Sequence, residues 1–138
     1  MKLFVDTWGW LALADRGEKQ HQQVMSFYAE RTRRTGLVVT SDYVLNELLT
    51  ILFSRLPFEI ATRFADSVLR SPFITIERIT PERFQKAWEL RLKFSDKPRI
   101  SFTDLTSMAA MNELGIVDVL TADKHFMQVG MNFRLLPE

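Results

Sequence analysis

Cysteine is absent from this 138-residue chain, so no disulfide braces the fold and no thiolate holds a metal. Any metal chemistry has to run through oxygen or imidazole. Long apolar runs are missing as well: no stretch approaches the roughly 20 residues that a membrane span needs. Met1 to Asp6 places an acid directly after a short apolar run, which is not the basic and then apolar start of a secretory signal. A soluble, cytoplasmic protein is expected. Neither charge sign dominates, since 18 Lys and Arg face 17 Asp and Glu. The resulting net charge of +1 does not announce a nucleic-acid binder, although a net value averages over surfaces of opposite sign. Repeats and low-complexity tracts are also lacking. What remains is an ordinary globular composition, 46% hydrophobic and 25% charged, in a chain long enough to bury roughly two-thirds of its unfolded surface. One domain over residues 1–138 is expected.

Strand and helix signals alternate along it. Leu3-Phe4-Val5 is apolar and too short for a helix, so it reads as a buried strand. Helical segments follow from Trp8 to Ala14 and from about Glu18 to Thr35, the second ending at Gly36. Leu37 to Thr40 is a second strand, and Ser41 or Asp42 can cap a helix reaching about Arg55. Pro57 opens another to about Arg70, and Ile74 to Ile79 alternates as a third strand. Thr80-Pro81 starts a helix to about Phe94, and Ser95 to Arg99 is a loop. Ser101-Phe102-Thr103-Asp104 has the spacing of a helix-start box, with Gly115 as terminator. Val117 to Thr121 is the fourth strand, followed by a helical turn near Lys124 to Val129 and an extended piece at Phe133 to Leu136. Such alternation implies an α/β fold, a three-layer α/β/α sandwich around a parallel sheet of four to five strands. Function in these sheets gathers outside the carboxyl ends of the strands.

Four acids stand out within this α/β pattern. Asp6 and Asp123 each follow an apolar strand and would emerge at its carboxyl end, Asp6 with Thr7 beside it as a hydroxyl partner; each is equally placed to cap the helical turn behind it. Asp104 shares a helix face with Met108 and Met111, where a bare charge is out of place, yet it is also an ordinary first-turn acid. Glu47 lies on a polar strip with Asn46, Thr50 and Ser54, and pattern alone leaves it in solvent. Together the four would converge at one sheet edge, where carboxylates about 4 Å apart repel by roughly 4 kcal/mol at an effective dielectric of 20. Clustered acids of this kind raise one another's pKa or recruit hard cations, and oxygen-only ligands suit Mg²⁺ or Mn²⁺. Thr7, Ser101 and Thr103 could orient waters or carboxylates from behind.

The segments carrying these acids resemble the motifs of PIN-domain ribonucleases, notably toxins of the VapC type. Phe4-Val5-Asp6-Thr7 matches the opening motif, Asn46-Glu47-Leu48 the internal acid, Ser101-Phe102-Thr103-Asp104 the third, and Leu120-Thr121-Ala122-Asp123-Lys124-His125-Phe126 the closing pattern. Trp8 departs from the family, whose members often carry a small polar residue there. The resemblance implies that Asp6 and Asp104 hold Mg²⁺ directly while Glu47 and Asp123 complete the pocket, bind a second ion or position water. It implies in-line hydrolysis of RNA, single-stranded by preference, leaving a 5′-phosphate and a 3′-hydroxyl. It further implies an antitoxin protein as partner and a homodimer as assembly.

Other residues carry less. The arginines at 31, 33, 34, 55, 63 and 70, with Lys97 and Arg99, read as solvated faces or as a phosphate-binding rim. His21 and His125 read as surface or packing residues rather than as a metal-free acid-base pair. Most aromatics and methionines must fill the core, leaving an exposed minority for self-association or an inhibitor peptide. An aspartyl-phosphate phosphatase would want an acid two residues beyond Asp6, where Trp8 stands. The same residues are also compatible with an inactive RNA- or protein-binding module and with a housekeeping RNA-processing nuclease.

Overall fold

A computed structural model describes residues 1–138. Five short strands, β1 (Leu3–Val5), β2 (Val38–Ser41), β3 (Ile74–Glu77), β4 (Asp118–Leu120) and β5 (Arg134–Leu136), pair in the order β3-β2-β1-β4-β5. Every pairing is parallel. Leu3 aligns with Val38 on one side and Asp118 on the other, and Phe4 with Val39 and Val119. Leu3, Phe4 and Val5 are wholly buried, so both faces of the central strand are covered and successive side chains need no polar alternation. The covers are six helices: α1 (Thr7–Ala14), α2 (His21–Arg34), α3 (Asp42–Arg55), α4 (Phe58–Leu69), α5 (Pro81–Lys93) and α6 (Phe102–Leu114). A 3₁₀ turn (Lys124–Met127) precedes β5.

The order of strands fixes where a ligand can sit. From β1 the chain steps outward through β2 to β3, then returns to place β4 on the opposite side of β1. The direction of winding therefore reverses between β1 and β4, and the crevice outside their carboxyl ends is the natural site in such a sheet. Helix α1 is apolar after Thr7 and almost entirely buried, which holds the chain leaving β1 against the sheet. Gly9 makes that approach possible: a Cβ there would lie 2.6 Å from the Leu120 carbonyl oxygen and 2.8 Å from Val5 Cγ1. Trp10 fills the core beneath, its Nε1–H donating to Thr40 Oγ1 at 3.0 Å, while Thr40 donates to the Val5 carbonyl at 2.9 Å.

Most element signals hold, with the side chains of Ser41, Thr80 and Ser101 each capping a helix by accepting the amide three residues on. Gly115 ends α6 in the left-handed conformation, φ 68°. Several boundaries differ, most by one or two residues. Helix α2 starts at His21 rather than Glu18, because Asp15 takes the Gly17 amide at 2.8 Å and turns the chain until residue 20. Strand β3 stops at Glu77 because the Ile79 amide goes to Asp42 Oδ1 at 3.0 Å instead of to a neighbouring strand. Strand β2 is shifted one residue on, and Pro57 sits before α4 as its cap position rather than inside its first turn. Buried Arg83 ties the far side together, binding Glu77 at 2.9 Å and Glu113 at 2.6 Å.

Candidate metal centre at the carboxyl edge

Asp6 is the first residue beyond β1 and caps α1, so strand and helix both dictate its position. Its Oδ1 accepts the Gly9 amide at 2.8 Å and its Oδ2 accepts the Thr121 hydroxyl. Only 3% of the residue is exposed. Burial lifts its pKa to about 7; the bonds from Thr121 and Gly9 pull it down, and the charges of Asp123 and Glu47 push it further up. Asp123 stands beyond β4, the neighbouring strand. Its amide donates to Thr121 Oγ1 at 2.9 Å and its Oδ1 accepts the His125 amide at 2.9 Å. One threonine oxygen thus links the ends of both strands.

Asp104 comes in from the first turn of α6, where Ser101 Oγ caps its amide at 3.0 Å. Burial raises its carboxyl to about 8, reinforced by a hydrogen bond with Asp123 and by the charges of Asp6, Asp123 and Glu47. A proton shared between two carboxyls is the metal-free response to crowding like charge. Glu47, half-buried in the second turn of α3, is near enough to act on both Asp6 and Asp104. All four acids predicted to converge are therefore electrostatically joined, and each is delivered by a different element.

The supporting residues are distributed differently from expectation. Thr121, not Thr7, is the hydroxyl bound to Asp6; Thr7 Oγ1 is buried with no protein partner. Ser101 is spent on the helix cap, and Thr103 contributes its carbonyl to Thr106 at 2.6 Å. Ser107, one turn after Asp104, is a second buried hydroxyl without a protein partner. His125 belongs to the site's surroundings rather than to remote packing, with Nδ1 3.0 Å from Asp123 Oδ1. Ligand atoms of Asp104, Asp123 and His125 lie within 4.8 Å of one another. His21, by contrast, bonds the Ala12 carbonyl at 2.7 Å and serves packing. Thr121 was visible only as the threonine two residues ahead of Asp123, and nothing local marked its bond to Asp6.

The donor set fits a hard divalent cation. Asp104 and Asp123 bring ligand atoms within 4.8 Å of each other and of His125, while Asp6 and Glu47 act on them through charge, and two of these carboxyls are held well above the ordinary range. Of the basic residues, Arg31 is committed elsewhere, to Asp118 at 2.8 Å, and Arg33 to Glu30 at 2.7 Å. Lys97, which pairs with Asp96 at 2.9 Å, and Arg99 line a cavity of about 320 Å³ with Asp96, Pro98, His125 and Gln128. A second cavity of about 290 Å³ opens past Thr121, walled by Trp8.

Comparison with known proteins agrees with this geometry. A family model described as PIN domain matches residues 3–131. The 23S rRNA-specific endonuclease VapC20 of Mycobacterium tuberculosis is 31% identical over 128 residues, 93% of this chain and 94% of the relative. The crystal structure of that organism's VapC20, described as a Sarcin-Ricin loop cleaving toxin, superposes with a TM-score of 0.82 at 32% identity, covering 93% of this chain and 95% of the other. VapBC2 of Rickettsia felis, solved bound to a DNA fragment from its promoter, shares the fold with a TM-score of 0.74 at 17% identity over 98% of this chain and 97% of the other.

Proposed function

The chain belongs to the PIN-domain family, and from that membership we propose that it is a divalent-metal-dependent endoribonuclease acting as the toxin of a toxin-antitoxin pair. The observation that carries this is the convergence of four carboxylates at the β1–β4 switch point, with Asp6 and Asp104 pushed to about 7 and about 8. Asp6, Glu47, Asp104 and Asp123 would hold Mg²⁺, or Mn²⁺ in its place. A cation held there would supply an activated water for the phosphodiester and positive charge to offset the leaving oxygen.

The chain's own residues supply the rest. Gly9 and Thr121 fix both oxygens of Asp6, so its carboxylate presents one orientation. The His125 amide does the same for one oxygen of Asp123. Arg99, in the cavity shared with His125 and the Lys97–Asp96 pair, attracts the phosphates of the strand, which the four acids would otherwise repel, and this attraction weakens as salt rises. An unpaired RNA segment suits the crevice because its backbone can bend toward the acids. Ribosomal RNA is the first substrate to try, given the relative's specificity. Protein partners find apolar surface on α4, where Phe58, Ile60 and Leu69 are exposed, and on α5, where Phe84, Trp88 and Leu92 recur every fourth residue. An antitoxin and a second copy of the chain are the proposed occupants.

The test is cleavage of a labelled RNA by pure protein with Mg²⁺, with Mn²⁺ and with chelator, repeated with Asp104→Asn. Cleavage confined to the metal lanes of the unsubstituted protein, leaving 5′-phosphate ends, is expected. Equal cleavage in all lanes would sink the proposal, and growth arrest on expression of the chain alone would separate a toxin from a housekeeping nuclease.

A further inference from the structure

We propose that the cavity walled by Trp8 is a nucleobase subsite, in which a base next to the scissile phosphate stacks on the indole. This rests on the ribonuclease assignment above. The cavity, about 290 Å³, is lined by Trp8 from the first turn of α1, Gln20 and Gln23 around the start of α2, and Thr121, Lys124 and Met127 beyond β4, with Glu138 the one acid at its edge. Thr121 also donates to Asp6, so the cavity and the acid cluster share a wall. A base bound there would rest against the same Thr121 that holds Asp6.

The lining has the chemistry that an unpaired base needs. Trp8 is half-buried and packs on the core with part of its ring left over, whereas Trp10 is fully buried and bonded to Thr40. A π-face of this kind accepts any base. The two glutamine amides can each donate and accept at a base edge, and Lys124 offers an ammonium for the adjoining phosphate. Met127, 67% exposed, adds an adaptable apolar flank. The volume falls just under the 300 to 1,000 Å³ typical of whole-ligand clefts, which suits one base rather than a peptide segment. The other cavity, lined by Lys97, Arg99 and Asp96 with His125 and Gln128, carries no aromatic ring on which a base could stack, apart from the imidazole.

The experiment uses the full chain, its Trp8→Phe and Trp8→Ala variants, and a fluorescein-labelled single-stranded oligoribonucleotide with and without abasic residues. Binding is followed by anisotropy with Ca²⁺ present, cleavage in parallel with Mg²⁺, and folding by circular dichroism. Trp8→Ala is expected to weaken binding of the intact strand on the order of tenfold, Trp8→Phe to restore most of it, and the abasic strand to bind all three proteins alike. Wild-type affinity in folded Trp8→Ala, or undiminished binding of the abasic strand to the unsubstituted protein, overturns the subsite. Binding that depends on Trp8 without any metal-dependent cleavage overturns the nuclease assignment and leaves the subsite standing. No RNA binding at all overturns both.

Discussion

The Thr121 oxygen donates to Asp6 and accepts from the Asp123 amide, so it sets the relative placement of two acids from neighbouring strands. Thr121→Val keeps the shape and loses both bonds. Metal affinity or cleavage is expected to fall roughly 10- to 100-fold, measured by metal titration and single-turnover kinetics, with Thr121→Ser recovering most of it. Asp104→Asn should separate stability from activity. Removing a carboxyl whose ionisation is resisted up to about pH 8 raises the melting temperature of the metal-free protein at and above that pH, while it removes metal-dependent cleavage. A lower melting temperature there would mean that Asp104 is stabilised by contacts rather than strained by its neighbours. At this scale the sequence was unevenly readable. Asp6 and Asp123 announce themselves by following apolar strands, and Asp104 by occupying an inward helix face. Glu47 needed the family resemblance, because a polar strip on α3 looks the same whether it faces water or three other acids. Adjacency along the chain makes Thr7 the hydroxyl partner of Asp6 and assigns Thr121 no role, because the bond to Asp6 spans 115 positions and no local pattern reports a contact of that range.

At the level of elements, the tightest constraint is the contact of α1 with the carboxyl ends of β1 and β4. Gly9→Ala pushes a methyl group into the Leu120 carbonyl and Val5, and neither is the free end of a flexible side chain. Overpacking of this sort costs roughly 1 to 3 kcal/mol, to be read from urea unfolding. Because the Gly9 amide also holds Asp6, metal affinity should fall with it; a variant that is destabilised yet binds metal normally would show that α1 can shift without moving Asp6. The elements themselves were legible wherever the signal was local. Ser41, Thr80, Ser101 and Gly115 mark their helix ends by chemistry contained within one turn. The missed boundaries at residues 18 and 79 are those where an aspartate side chain, Asp15 or Asp42, captures an amide that would otherwise have extended the helix or strand. Only the latter needed tertiary information, since Asp42 and Ile79 are 37 positions apart.

Across the whole molecule the sheet has two electrostatic ends with opposite consequences. At the amino end Asp118 is 1% exposed and bound by Arg31 from α2 and Arg134 from β5, each at 2.8 Å. Burial raises its pKa, but the bonds from the two arginines outweigh this and hold it below the ordinary value, so its stabilisation is lost as the medium is acidified through that lower range. Asp118→Ala, which strands Arg31, is expected to cost roughly 3 to 5 kcal/mol while leaving cleavage per folded molecule unchanged. At the carboxyl end the sign reverses. Asp6 and Asp104 bind protons more tightly folded than unfolded, so between about pH 4 and pH 8 the metal-free protein should lose stability as pH rises. Melting curves across that range check it, and added Mg²⁺ should flatten the dependence by giving the carboxylates a cation in place of a proton. The strand order has one more consequence, which concerns synthesis. Asp6 is made well before its partners Thr121 and Asp123, which follow β4 more than a hundred positions later, and β4 must slot in beside β1 before the acids meet. A nascent chain still lacking β4 carries no assembled cluster.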